Sequence, residues 1–237
     1  MWIHGGGWRQ GDKAGVQQKP QAFVDKGLIF VSINYRFVPQ VTVKEMTGDV
    51  AKAIRWVHDH AQDYGGKQDS IFVMGHSAGA HLAALVCTDE RYLKQEGLPL
   101  SIVKGCVPVD TAAYDIAQRA ASVAGSVAGN ASKRLAKKAK SPFGDDPAVQ
   151  KNLSPIAHVA TGKSIPPFLI LHVASRPDSK AQSQAFAKAL QAAGVSATIV
   201  AAEGKTHGTI NSDLGDADDK PTKVLFEFVE RQMAAGK

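Results

Sequence analysis

The stretch SIFVMGHSAGAHLAAL, residues 70–85, constrains the fold more than any other part of the chain. An apolar, β-branched run ends at Gly75 and an alanine-rich helical pattern opens at Ala78, leaving His76 and Ser77 to make the connection. A strand that becomes a helix within two residues crowds its own backbone. Glycines at 75 and 79 remove the side chains that would collide there. Such a turn lifts the residue at its apex, Ser77, above the end of a sheet strand. The helix that follows aims its first free N–H groups, that of Ala78 among them, at the space beside the Ser77 hydroxyl. The pattern therefore predicts a nucleophilic serine on a strand–helix scaffold.

Similar apolar runs recur at Trp2-Ile3 and at 28–35, 102–109, 167–173 and 196–202, with helical patterns near 17–26, 44–64, 78–88, 180–193 and 222–235. Alternation of this kind predicts an α/β fold, a mostly parallel sheet with helices on both faces. From 111 to 165 the rhythm breaks: an Ala/Ser/Lys-rich helical segment and the turn-rich SPFGDDP predict a small cap-like helical insertion over the sheet. With 237 residues, 44% of them hydrophobic, the chain can fill the core of a single domain spanning 1–237.

The formal charge of +6 is concentrated in SKRLAKKAK, residues 132–140, and reads as a solvated helix face. No nucleic-acid motif accompanies it, so no nucleic-acid partner is expected. Cys87 and Cys106 lie inside apolar segments and are expected as buried thiols. The histidines lack ligand spacing with partner carboxylates or thiols, so neither metal nor cofactor is predicted. No apolar run reaches membrane-spanning length and no signal-peptide pattern is present, which leaves the compartment unassigned.

Near the start, Trp2-Ile3 runs into His4-Gly5-Gly6-Gly7. Glycines after a strand bring bare N–H groups close to a reacting centre, and an HGGG-type loop beside a serine turn supplies donors to the oxyanion of a tetrahedral intermediate. The serine also needs a base. Of eight histidines, His207, flanked by Thr206 and Gly208 after the last strand, sits where that base is expected. The acid then falls between Ser77 and His207. Asp178, just beyond the strand PFLILHV, is the first choice, because catalytic groups gather at the carboxyl ends of parallel strands. Asp110 also ends a strand, Asp145 and Asp146 lie in a loop, and Glu203 lies four residues before His207.

IHGGGWRQGDK, INYRFVP, the Asp49-containing helix with AIRWVHDHA, GHSAGAHLAAL and KTHGTI together resemble the α/β-hydrolase esterases related to hormone-sensitive lipase and to kynurenine formamidase. The resemblance covers essentially the whole chain, least closely over about 112–163. It implies a triad of Ser77, Asp178 and His207, with Gly6, Gly7 and Ala78 lining the oxyanion hole. The implied activity is a serine carboxylesterase acting on small to medium carboxylic esters through an acyl-enzyme on Ser77. An arylformamidase cleaving N-formyl amides would use the same triad. Receptor-like members of the fold lose the catalytic histidine, and retention of His207 argues against that reading. Two departures stand out. The family's His-Gly-x-x-Asp pattern is here HVASRPD, displacing the aspartate by two positions, and the strands that precede HGGG in the family are missing. The second departure predicts that 28–35 forms an exposed sheet edge through which the chain self-associates.

Overall fold

The computed structural model describes residues 1–119 and 141–235. Six strands form one sheet: β1 (Trp2–Ile3), β2 (Ser32–Ile33), β3 (Ile71–His76), β4 (Val103–Val109), β5 (Phe168–Val173) and β6 (Ala197–Ala202). They lie in the order β2-β1-β3-β4-β5-β6, and every pairing is parallel. The helices used below are α1 (Lys19–Val24), α2 (Val43–His60), α3 (Ala78–Thr88), α4 (Arg91–Gln95), α5 (Pro147–Asn152), α6 (Pro177–Ala192), α7 (Thr209–Ser212) and α8 (Lys220–Ala234).

Parallel strands need both faces covered, and the two-residue side-chain period divides them cleanly between two cores. Ile3, Val73, Cys106 and Ile170 face one side, where they join Val50 and Ile54 of α2, Leu82 and Leu85 of α3, and Phe186 of α6. Trp2, Met74, Val107 and Leu171 face the other, against Phe23 of α1 and Leu225, Phe228 and Val229 of α8. Helix α2 shows how the sequence sets this up. Its buried residues Val43, Met46, Thr47, Val50, Ala51 and Ile54 recur on one helical stripe, and Thr42 and Glu45 close a reciprocal capping box at its start. Helix α3 has no exposed face: every residue from Ala78 to Thr88 is buried. Cys87 and Cys106 are free and buried.

The run at 28–35 differs from its sequence pattern. It occupies the sheet edge as expected, but only Ser32 and Ile33 pair, with Trp2 and Ile3. Its partner β1 is two residues long before the glycine loop begins, so an eight-residue apolar run has only a two-residue ladder to join. Beside that edge an apolar groove of about 290 Å³ is lined by Phe23, Ile29, Phe30, Trp56 and Met233 among others. The basic SKRLAKKAK segment and most of the small-residue run before it lie outside the described residues. The described return of the insertion carries α5 and the single 3₁₀ turn Pro155–His158. Among the described residues, no helix is long and apolar enough to cross a membrane.

Candidate active site

Ser77 joins β3 to α3 with φ 56° and ψ −113°, a conformation that a residue bearing Cβ adopts only where its surroundings enforce it. A Cβ on Gly75 would come within 2.5 Å of the Gly79 carbonyl oxygen, and one on Gly79 within 2.2 Å of the Ile3 carbonyl oxygen. The two glycines thus allow the turn to close and α3 to press against β1. That contact also brings the HGGG loop to the serine: a Cβ on Gly5 would lie 3.1 Å from Ser77 Cβ.

The loop's own shape follows from its neighbours. Gly6 and Gly7 have φ of 121° and 62°, and the Gly6 carbonyl accepts from the N–H groups of Arg9 and Gln10, closing a turn. The His4 ring stacks on Tyr35 at 4.5 Å, while the Tyr35 hydroxyl donates to the His4 carbonyl at 2.9 Å. Next in sequence, Arg36 binds Asp49 of α2 through Nε and Nη2 at 2.9 and 2.7 Å. The motifs INYR and the Asp49 helix therefore form a brace for the glycine loop.

Ser77 Oγ lies 3.0 Å from His207 Nε2, and His207 Nδ1 lies 2.6 Å from Asp110 Oδ2. Asp178, the residue expected as the acid, is not brought to His207. Its side chain is 51% exposed at the start of α6, bonded to Arg176 Nη2 at 3.2 Å. Asp110 ends β4 with φ 50° and is completely buried. Its Oδ1 accepts from the Val173 N–H at 3.1 Å and the Ser179 hydroxyl at 2.6 Å. Arg176 Nη1 reaches Oδ2 at 2.5 Å. Arg176 stands where the family's His-Gly-x-x-Asp pattern would put its aspartate, counted from His172.

Burial on its own would push the Asp110 carboxyl up. The hydrogen bonds from His207, Ser179 and Val173 and the charge of Arg176 outweigh it and hold Asp110 well below the ordinary carboxylate range. Asp110 is therefore ionised at neutral pH and accepts the His207 Nδ1 proton, which leaves Nε2 free to accept from Ser77. Arg176 Nη1 is also 2.7 Å from His207 Nδ1, but with that nitrogen's proton already given to Asp110, the guanidinium bonds the carboxylate.

Sequence reasoning did not anticipate the supports of this arrangement. His76 Nε2 donates to the His207 carbonyl at 2.9 Å, and the two rings lie 4.5 Å apart. Lys19 Nζ, with its residue fully buried, donates to the Asn211 carbonyl of α7 at 2.6 Å and sits over the Trp2 ring. The His207 loop is thereby tied to both β3 and α1. A histidine beside the nucleophile and a lysine flanking a proline carry no local signal of either contact.

Burial, with the neighbouring His207 ring as a smaller cause, pushes the His76 ring down to about 4, and burial likewise pushes His81 to about 4. The unfolded chain protonates these rings near 6.5, whereas the native one refuses the proton until about 4. Between those values the unfolded state binds more protons, so stability falls as pH drops. Across the whole window the loss is on the order of 3 kcal/mol for each ring. The melting temperature is expected to decline steadily from pH 6.5 to 4.5; a flat profile would show that these rings are not held neutral.

Comparison with known proteins follows the same lines. A family profile described as BD-FAE matches residues 1–190. Esterase LipQ of Mycobacterium tuberculosis (strain ATCC 25618 / H37Rv) is 34% identical over 85% of this chain and 47% of its own. A probable isoprenylcysteine alpha-carbonyl methylesterase, ICMEL1, of Arabidopsis thaliana is 29% identical over 87% of this chain and 44% of its own. The chain thus spans less than half the length of these curated relatives. Among solved structures, Thermogutta terrifontis esterase 2 with butyrate bound superposes with a TM-score of 0.68 at 25% identity, covering 99% of this chain and 81% of that one. The same esterase phosphoramylated by tabun gives 0.68 at 23% identity over the same shares.

Proposed function

This chain belongs to the BD-FAE family and has the α/β-hydrolase fold, and from that premise we propose that it is a serine carboxylesterase acting on small to medium carboxylic esters. The observation that carries the reading is the continuous hydrogen-bonded path from Ser77 through His207 to Asp110, set beside a glycine loop. His207 takes the Ser77 proton as Oγ attacks the ester carbonyl, and Asp110 stabilises the imidazolium that results. The carbonyl oxygen, now negative, is received by the N–H groups of Ala78 and of the Gly6-Gly7 loop. His207 returns the proton to the leaving alcohol. Water then repeats the attack on the acyl-Ser77 intermediate, releasing the acid.

In this reading Asp110 takes the role first expected of Asp178, and the oxyanion donors stay as expected at Gly6, Gly7 and Ala78. From the described part of the insertion, Phe143 packs on Trp8 beside the glycine loop. A related fold holding butyrate supports a short acyl group. A nitrophenyl ester series from acetate to decanoate, run beside N-formylkynurenine, tests the assignment. Fastest turnover on the short esters is expected. Faster turnover of the formyl amide would make the protein an arylformamidase, and no turnover with no organophosphate captured on Ser77 would make it a non-catalytic ligand-binding member of the fold.

The partner that fits the β2 edge is a second copy of the chain. The groove there is apolar, and Ile29, Trp56, Tyr64 and Met233 around it are each more than 40% exposed. Light scattering is expected to show mass rising with protein concentration, and Trp56→Glu to suppress the rise. A constant monomer mass from micromolar to millimolar protein would dismiss this pairing.

A further inference from the structure

His81 lies one helical turn beyond the nucleophile on α3, its N–H bonded to the Ser77 carbonyl at 3.2 Å and its side chain fully buried. Both ring nitrogens have partners on other segments. Nε2 is 2.8 Å from the Leu153 carbonyl and Nδ1 is 3.3 Å from the indole Nε1 of Trp8. A carbonyl can only accept and an indole N–H can only donate, so the proton resides on Nε2 and Nδ1 takes the indole proton. Burial keeps the ring in the neutral form that this double contact requires.

Trp8 follows Gly7 directly and has φ 62°, a left-handed backbone that a tryptophan holds only under external restraint. The restraint is visible. The Trp8, His81 and Phe143 rings meet edge-to-face in all three pairs, at 5.6, 4.7 and 5.3 Å. The Arg119 guanidinium lies over the indole ring at 5.7 Å. Three chain segments meet in this joint: the glycine loop through Trp8, the nucleophile helix through His81, and the returning insertion through Phe143 and Leu153.

We infer that His81 is a positioning residue for ester hydrolysis, setting the peptide groups of the Gly6-Gly7 loop against Ser77 through the Trp8 indole and registering the insertion on the same ring. The inference rests on the esterase reading above. An oxyanion donor acts only where charge develops, so a small displacement of the loop weakens the transition state while leaving substrate binding nearly untouched. The expected signature is a fall in kcat without a matching rise in KM.

His81→Phe keeps an aromatic ring in the joint and removes both bonds. It is expected to lower kcat by about 10- to 50-fold with KM within about twofold. Trp8→Phe, which removes only the indole donor, is expected to do the same. Because both variants break the His81–Trp8 bond and only His81→Phe also loses the bond to Leu153, the double variant is expected to match His81→Phe alone rather than multiply the two losses. His81→Gln, with a donor and an acceptor of its own, is expected to recover a substantial part of the loss. Retained kcat in His81→Phe with only a lowered melting temperature would reduce His81 to a packing role and overturn the inference. Fully multiplicative losses would overturn it too. Should His81→Phe fail to fold, Trp8→Phe and His81→Gln decide alone. Wild-type turnover and organophosphate capture on Ser77 are measured alongside: if the wild type fails both, the esterase reading is lost and this inference with it, whereas failure confined to the variants' pattern concerns His81 only.

Discussion

Ser77→Ala is expected to reduce kcat for nitrophenyl acetate by roughly 10⁴- to 10⁶-fold while leaving the melting temperature within a few degrees. The hydroxyl bonds His207 Nε2 at 3.0 Å, so its loss removes the covalent chemistry and little packing. The strained turn survives because it is set by Gly75 and Gly79, whose added Cβ atoms would strike backbone, and by the Ser77 N–H bond to the Val109 carbonyl at 2.9 Å. An alanine at 77 keeps both. Mass spectrometry after organophosphate treatment is expected to show one adduct on the wild type and none on the variant. An adduct persisting on the variant, or undiminished turnover, would remove Ser77 from the chemistry.

Asp110→Asn is expected to cost about four orders of magnitude in kcat, the size of loss seen when the corresponding aspartate of a serine protease is amidated. The amide preserves the shape and can still accept from Val173 N–H and Ser179. At the other position its NH₂ replaces the Oδ2 acceptor and faces two donors, His207 Nδ1 and Arg176 Nη1. The imidazole escapes this by moving its proton to Nε2, which then points a donor at Ser77 and can no longer take the hydroxyl proton. Asp178→Asn is expected to stay within about threefold, since among the described residues its exposed carboxylate bonds Arg176, which retains Asp110. Measuring kcat for the two variants under identical conditions decides between the carboxylates. The reverse order of losses would return the acid to the α6 terminus.

The strand–serine–helix turn was legible because everything that makes it is local: an apolar run, two small residues and a helical pattern within sixteen residues. The sheet and the helices on both its faces were legible for the same reason, through two-residue and helical periods. The acid was not. Asp178 stands just after Pro177 in the first turn of α6, where a carboxylate is favoured by the helix terminus whatever its chemistry, and it is Asp110 whose carboxylate lies against His207 Nδ1. What singles out Asp110 is its left-handed backbone at the end of β4 and the three donors that converge on it from Val173, Arg176 and Ser179. These lie more than sixty residues away in sequence. The edge run at 28–35 misled in another way, because strand length depends on the partner as well as on the run itself. Of the histidines the sequence passed over in favour of His207, His76 bonds the His207 carbonyl and His81 accepts from the Trp8 indole, contacts with no local signal.

The bond from His81 to the insertion ends on the main-chain carbonyl of Leu153. A main-chain acceptor is the same atom whichever amino acid the codon specifies, so this bond fixes a backbone path through the insertion, while the buried side chain of Leu153 answers separately to the core it packs in. Side-chain changes along the neighbouring exposed residues are correspondingly uncoupled from the joint at His81. Changes at the exposed positions across 144–151 leave that bond, and the seat it gives the Trp8 indole, unaltered.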